Sequence, residues 1–254
     1  MNLFRASTRP LVIGHRGASA YAPENTLAAF RLAAEQGADA VELDAKLSAD
    51  GQVVVIHDQT VDRTTNGIGQ VCDLTLAQFK SLDAGTFFAP QFAGETVPTL
   101  AEVFETVGKR VLINVELTNY ANPTDNLVAR VCELVRNFHL EERILFSSFH
   151  PLNLLRARRN LPEVPCAILA MPGRPGWWAR SFLMEGISAE AVNPYFQDIT
   201  AQYLHHQARK GRKTNAWTVN DREEMQRLVQ AGANGLITDD PLAALQELAN
   251  LSPG

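Results

Sequence analysis

Two octapeptides far apart in this chain share one plan. Gly37-Ala38-Asp39-Ala40-Val41-Glu42-Leu43-Asp44 resembles Gly232-Ala233-Asn234-Gly235-Leu236-Ile237-Thr238-Asp239. Each follows an amphipathic stretch, opens on a glycine where a helix end needs positive φ, and runs into a strand. Between them β-branched runs alternate with helical stretches. Strand candidates are Leu11–Gly14, Ala40–Leu47, Val53–His57, Val111–Leu117, Ile144–Phe149, Ala167–Ala170, Ala191–Pro194, Asn215–Val219 and Gly235–Thr238. Helix candidates are Thr26–Gln36, Leu100–Val107, Asp125–Phe138, Leu152–Asn160, Pro175–Leu183, Ala201–Lys210, Arg222–Ala231 and Pro241–Leu248. Apolar positions three and four apart, such as Leu127, Val128, Val131, Leu134, Val135 and Phe138, support the longer helices. The alternation predicts parallel strands with crossover helices. A shared unit at both ends favours a closed (β/α)8 TIM barrel, and the 254 residues match the ~250 typical of one. An open doubly wound sheet is the structural rival.

The stretch between His57 and Val111 is too long for an ordinary connection. Asp62-Arg63-Thr64-Thr65-Asn66-Gly67-Ile68-Gly69 is turn-rich, Thr75–Leu82 suits a short helix, and Thr99 is placed to cap the helix after Pro98. Residues 60–97 read as a small subdomain inserted after the second strand of a single 1–254 barrel domain. Structured insertions of this kind often serve as lids or binding loops.

Composition excludes several partners. Lys plus Arg total 23 against 28 Asp plus Glu, a formal net charge of -5. No electrostatic reason to bind nucleic acid or anionic lipid exists, since both need clustered cations. Cys72, Cys132 and Cys166 form no Cys-x-x-Cys and are expected to be small buried hydrophobes. MNLFRASTRPLVIGHRG holds no apolar signal region before Pro10, and no run approaches the ~18 apolar residues of a membrane span. A cytoplasmic protein of open oligomeric state is expected.

Residues two apart in a strand share a face, so Glu42, Asp44 and Lys46 oppose Val41, Leu43 and Leu47. In a barrel the charged face points inward at the catalytic end, where three charges are costly unless they bind something. Adjacent carboxylates suit one hard divalent cation, Mg2+ or Ca2+. The blander alternative is a solvated edge strand with a salt bridge. Asn114-Val115-Glu116 repeats the pattern, so that Glu116 supplies a third carboxylate at the same mouth or pairs with a structural cation. His15 ends the first strand and His57 follows Val53-Val54-Val55-Ile56. Such a pair can take one proton and give another. Arg16 offers a fork for phosphate, and Gly14 and Gly17 would let backbone approach a ligand.

The remaining candidates are weaker. His205-His206 reads as surface, His139 as a helix-end partner, and His150 as a structural residue after a strand end, with a place at the mouth the lesser alternative. Trp217 alternates with Asn215 and Val219, and serves either as an apolar substrate wall or as core. Trp177-Trp178 is expected to pack between helix and barrel, the alternative being a loop that touches substrate or another subunit. P-loop, Gly-x-Ser-x-Gly, His-Glu-x-x-His and Gly-x-Gly-x-x-Gly patterns are absent.

Together these residues resemble the glycerophosphodiester phosphodiesterase family, in its cytoplasmic branch. The resemblance rests on Gly14-His15-Arg16-Gly17-Ala18, Pro23-Glu24-Asn25-Thr26, Val41-Glu42-Leu43-Asp44, Asp50-Gly51, His57-Asp58 and Asp62–Gly67. It continues in order through Leu82-Asp83-Ala84-Gly85, Pro98-Thr99-Leu100, Asn114 with Glu116, Trp217-Thr218-Val219-Asn220 and Gly235–Asp239. It implies one divalent cation on Glu42, Asp44 and Glu116, catalytic His15 and His57, and Arg16 on the phosphate. It also implies a small-molecule substrate, an sn-glycerol-3-phospho-alcohol, split to glycerol 3-phosphate and the alcohol.

One departure is Thr118, where the family often carries lysine. Lys46, on the face of Glu42 and Asp44, is expected to substitute in part. Two other functions compete. A cation-independent phosphoinositide-type phospholipase would replace the carboxylates by arginine. A catalytically silent phosphate-binding barrel would lose or misplace a histidine.

Overall fold

Strand β1 (Leu11–His15) closes a ring by pairing with Gly235–Thr238, the last strand among the described residues. The computed structural model describes residues 2–181, 184–188 and 190–251. The strands that follow are β2 (Ala40–Leu47), β3 (Val53–Val55), β4 (Leu112–Leu117), β5 (Ile144–Ser148), β6 (Cys166–Ala170), β7 (Ala191–Pro194), β8 (Lys213–Ala216) and β9 (Gly235–Thr238). Among the described residues, all except β3 pair in parallel around the ring β1-β2-β4-β5-β6-β7-β8-β9, and β9 returns to β1. The fold is a closed eight-stranded parallel barrel with one extra strand outside it.

That extra strand corrects the expectation for 53–57. β3 runs antiparallel to β2, Ala45 opposite Val55, and ends before His57. Only residues 48–52 separate the two strands. A hairpin fits in that length, whereas a parallel crossover needs a dozen or more residues.

The helices are α1 (Leu3–Ala6), α2 (Leu27–Gln36), α3 (Leu76–Phe79), α4 (Leu100–Val107), α5 (Leu127–Asn137), α6 (Pro151–Asn160), α7 (Trp177–Arg180), α8 (Ala201–Arg209), α9 (Arg222–Gln230) and α10 (Pro241–Leu251). Local chemistry sets their ends. Thr26 caps α2, and Thr99 with Glu102 forms a capping box on α4. Gly37 and Gly232 hold φ of 91° and 99°, as the shared octapeptide plan requires. The helix expected over 175–183 is shorter, and its end at Leu183 lies outside the described residues.

Alternation along the strands builds two cores. Val41, Leu43, Ile113, Val115 and Phe146 face outward and pack with Phe30, Val103, Val131 and Leu154 of the helices. Ile13, Ala40, Leu112, Leu145, Ala167 and Ile237 face inward, with Phe4 of α1 among them. α1, unseen in the sequence, seals the base of the ring. Asn2 Nδ2 anchors it by donating to the Glu141 and Ile144 carbonyls, each at 2.8 Å. Past β3, the chain builds a separate cluster from Val54, Ile56, Val61, Val71, Phe79, Ala84 and Val97.

Candidate active site

At the opposite end of the ring, inward side chains line a cavity of about 60 Å³. Its walls are His15, Arg16, Glu42, Asp44, His57, Asn114, Glu116, Phe149, Leu169, Trp217 and Ile237. Sheet register explains the acidic cluster. Glu42 of β2 lies beside Asn114 of β4, and Asp44 beside Glu116. One oxygen from each of Glu42, Asp44 and Glu116 lies within 4.8 Å of the others.

Crowding of this kind needs a counter-charge. Burial, with Asp44 and Glu116 nearby, pushes the Glu42 carboxyl well above its usual range. Burial and Asp44 push Glu116 up to about 8. The Asn114 Oδ1 beside them is buried and has no hydrogen-bond partner. An all-oxygen donor set with surplus negative charge fits a hard divalent cation.

Arg16 supplies part of the balance. It follows β1 with φ of 55°, a left-handed backbone costly for a residue with Cβ. The turn aims its N–H at Glu42 Oε2, 3.1 Å away, while its guanidinium reaches Glu24 Oε1 at 2.8 Å and Asp44 Oδ2 at 3.5 Å. Gly17, φ 89°, completes the turn, and a Cβ there would lie 2.6 Å from the Ala29 carbonyl carbon. Gly14 differs from expectation. Its missing Cβ makes room for the Gly17 carbonyl rather than for a ligand.

Each histidine has a carboxylate on Nδ1. His15 meets Asp239 Oδ1 at 2.6 Å, and Asp239 is held by Ser19 Oγ and Asn220 Nδ2. His57 meets Asp58 Oδ1 at 2.6 Å. Arg63 Nε donates to Asp58 Oδ2 at 2.6 Å, and its other nitrogens donate to Glu24 at 2.8 Å. Burial pushes Glu24 up, but Arg63 and Arg16 outweigh it and hold the carboxyl down at about 2. A carboxylate on Nδ1 fixes each ring and leaves Nε2 for proton transfer.

Lys46 is buried, and its Nζ donates to Thr118 Oγ1 at 2.8 Å. Burial lowers its pKa, and Asp44, Glu116 and Asp58 resist that. Thr118 is thus the seat of the Lys46 ammonium. Trp217 donates from Nε1 to the Asn193 carbonyl and meets Phe149 edge-on at 5.5 Å, which makes an apolar wall.

Other expectations diverge. Trp177 is 65% exposed and Trp178 36% exposed on α7, whose buried contact to the barrel side is Ala179, so neither indole is buried between helix and barrel. Cys132 and Cys166 are buried, whereas Cys72 is exposed on a single 3-10 turn. His150 caps α6, and His205 and His206 are exposed on α8. Sequence reasoning assigned no role to Asp239, Asp58, Asn25 or Tyr120. Asp58 adjoins His57 and Asp239 closes the second octapeptide, so adjacency and repetition carried a signal for these two.

Residues 15–243 match the model of the Glycerophosphoryl diester phosphodiesterase family. The chain belongs to this family. As a member it is a phosphodiesterase, an enzyme. A glycerophosphodiester phosphodiesterase of Caldanaerobacter subterraneus is 42% identical over 234 residues, 92% of this chain and 95% of its own. Glycerophosphodiester phosphodiesterase 1 of Bos taurus is 32% identical, over 95% of this chain and 81% of its own. Among solved structures, an Oleispira antarctica phosphodiesterase in complex with the product sn-glycerol-3-phosphate superposes with a TM-score of 0.87. That protein is 31% identical, and the match covers 96% of this chain and 99% of the other. No helix among the described residues is long and apolar enough to cross a membrane.

Proposed function

We propose that this chain hydrolyses glycerophosphodiesters to sn-glycerol 3-phosphate and an alcohol, with one divalent cation on Glu42, Asp44 and Glu116 and with His15 and His57 exchanging protons. The observation that carries the reading is the cavity where two carboxylate-backed imidazoles stand with a three-carboxylate cluster. The Oleispira complex with sn-glycerol-3-phosphate supports the product class. Three cysteines without a disulfide, two of them buried, suit a reducing cytoplasm. Residues 60–97 act as a subdomain inserted in one barrel domain, since Arg63 reaches from it to Glu24.

When bound, the cation supplies positive charge to the phosphate oxygens and acidifies the attacking hydroxyl. Arg16, beside the carboxylate cluster, would hold the phosphate, and Phe149 and Trp217 would wall the glycerol. The glycerol hydroxyl next to the phosphoester is already tethered, so its attack on phosphorus gains by proximity. His15 Nε2 takes the hydroxyl proton as the new P–O bond forms. His57 Nε2 gives its proton to the departing alcohol oxygen as the old bond breaks. Water then opens the cyclic phosphate with the two roles reversed, which restores both histidines. A glycerol 3-phosphate release assay over several headgroups, with and without chelator, tests the whole reading.

Two variants probe individual parts. Asp239→Asn removes the anion that orients His15, so kcat is expected to fall about a hundredfold with little change in KM. Steady-state kinetics check this, and an unchanged kcat would remove Asp239 from the machinery. Lys46 is assigned the missing cationic role near the phosphate. Lys46→Met is expected to lower kcat/KM about tenfold, a charge-assisted hydrogen bond's worth. Unaltered turnover would return Lys46 to a purely structural position.

A further inference from the structure

Each carboxylate of the cluster has one oxygen engaged by a protein donor. The Arg16 N–H donates to Glu42 Oε2 at 3.1 Å. Asn25 Nδ2 donates to Asp44 Oδ2 at 2.9 Å. The Tyr120 hydroxyl donates to Glu116 Oε1 at 2.5 Å. These donors are themselves braced. Arg16 and Asn25 both hold left-handed backbone, φ 55° and 57°, and the Asn25 N–H donates to the Arg16 carbonyl at 3.0 Å. The Tyr120 oxygen accepts from the Phe149 N–H at 3.4 Å, and its ring meets Phe149 edge-on at 5.9 Å.

A carboxylate chelates an ion through both oxygens only when both face it. A strong donor on one oxygen turns that oxygen away and leaves the other. We propose that the cation site takes one oxygen from each of Glu42, Asp44 and Glu116, and that Tyr120 is the positioning residue that prevents Glu116 from chelating. The inference rests on the cation reading given above. Three single oxygens suit Mg2+, which is small, six-coordinate and keeps positions for water and phosphate oxygens. Ca2+ takes six to eight ligands and favours a glutamate that offers both oxygens. Tyr120 therefore biases the site towards Mg2+. Tyr120→Phe keeps the ring and removes the donor, which frees Glu116 to present both oxygens.

The test is direct binding of Mg2+ and of Ca2+ to the cation-free full chain, measured by calorimetry for wild type and Tyr120→Phe. Wild type is expected to bind Mg2+ more tightly than Ca2+. In Tyr120→Phe, Mg2+ binding weakens about tenfold while Ca2+ binding holds or tightens, so the preference moves towards Ca2+ by about tenfold or more. Equal change for both ions, or none for either, overturns the role of Tyr120 and leaves the cation site standing. Should Tyr120→Phe fail to fold, wild type decides alone: tighter Ca2+ binding overturns the proposal and tighter Mg2+ binding supports it. If neither ion binds wild type, the cation site itself is overturned, and this inference with it.

Discussion

With His57 replaced by alanine, kcat for a glycerophosphodiester of an ordinary alcohol is expected to fall about 10²- to 10⁴-fold. An ordinary alkoxide is a poor leaving group and needs a proton as the P–O bond breaks. A 4-nitrophenyl ester needs none, so the same variant should retain most of its activity on that substrate. The contrast isolates the acid role, because a general loss of binding or folding would depress both substrates equally. Equal losses would reject His57 as the proton donor. The cavity supports the assignment through the Asp58–Arg63–Glu24 chain, which fixes the imidazole from behind.

Removing the cation should have the other large effect, and it should act on stability as well as on rate. Glu42→Gln is expected to lower activity about 10³-fold, the scale of several kcal/mol of charge stabilisation at phosphorus. Its effect on the cation-free fold has the opposite sense. Glu116 has a folded pKa of about 8, above its ordinary 4.5. The folded state therefore binds a proton that the unfolded chain releases. The corresponding stability is complete below pH 4.5 and is lost as pH rises through about 8. Cation-free wild type should show a falling Tm from pH 5 to pH 9, with saturating divalent cation reversing the loss at the alkaline end. Glu42→Gln, which cannot ionise inside the crowded cluster, should lose less Tm over that pH rise without cation and gain less from its addition. Thermal melts over that pH range check both signs, and a flat wild-type profile would argue against the buried cluster.

The barrel was legible because alternation in Ala40–Leu47 and Leu112–Leu117 sorts the chain into two faces. Val41, Leu43, Ile113 and Val115 can only lie against helices, which leaves Glu42, Asp44 and Glu116 inside. β3 misled because a run of valines has no direction, and only the short link to β2 dictates an antiparallel return. α1 escaped notice because four residues carry too little of a 3.6-residue period. Within the site, local pattern marked the residues that face the cavity and missed several that hold them. Tyr120 lies in a loop with no periodicity, so its bond to Glu116 depends on how that loop folds back. Arg16 lines the cavity, but its engagement with Glu24 depends on a left-handed turn that composition does not announce.

The pairing of β1 with β9 has a consequence for how the molecule is made. His15 and its partner Asp239 are 224 positions apart. On the ribosome, Leu11–His15 must wait with one hydrogen-bonding edge open until Gly235–Thr238 emerges. Nascent chains that stop short of Gly235 therefore lack both this stave and the anchor of one imidazole, so competence for turnover arrives only once Asp239 has been made.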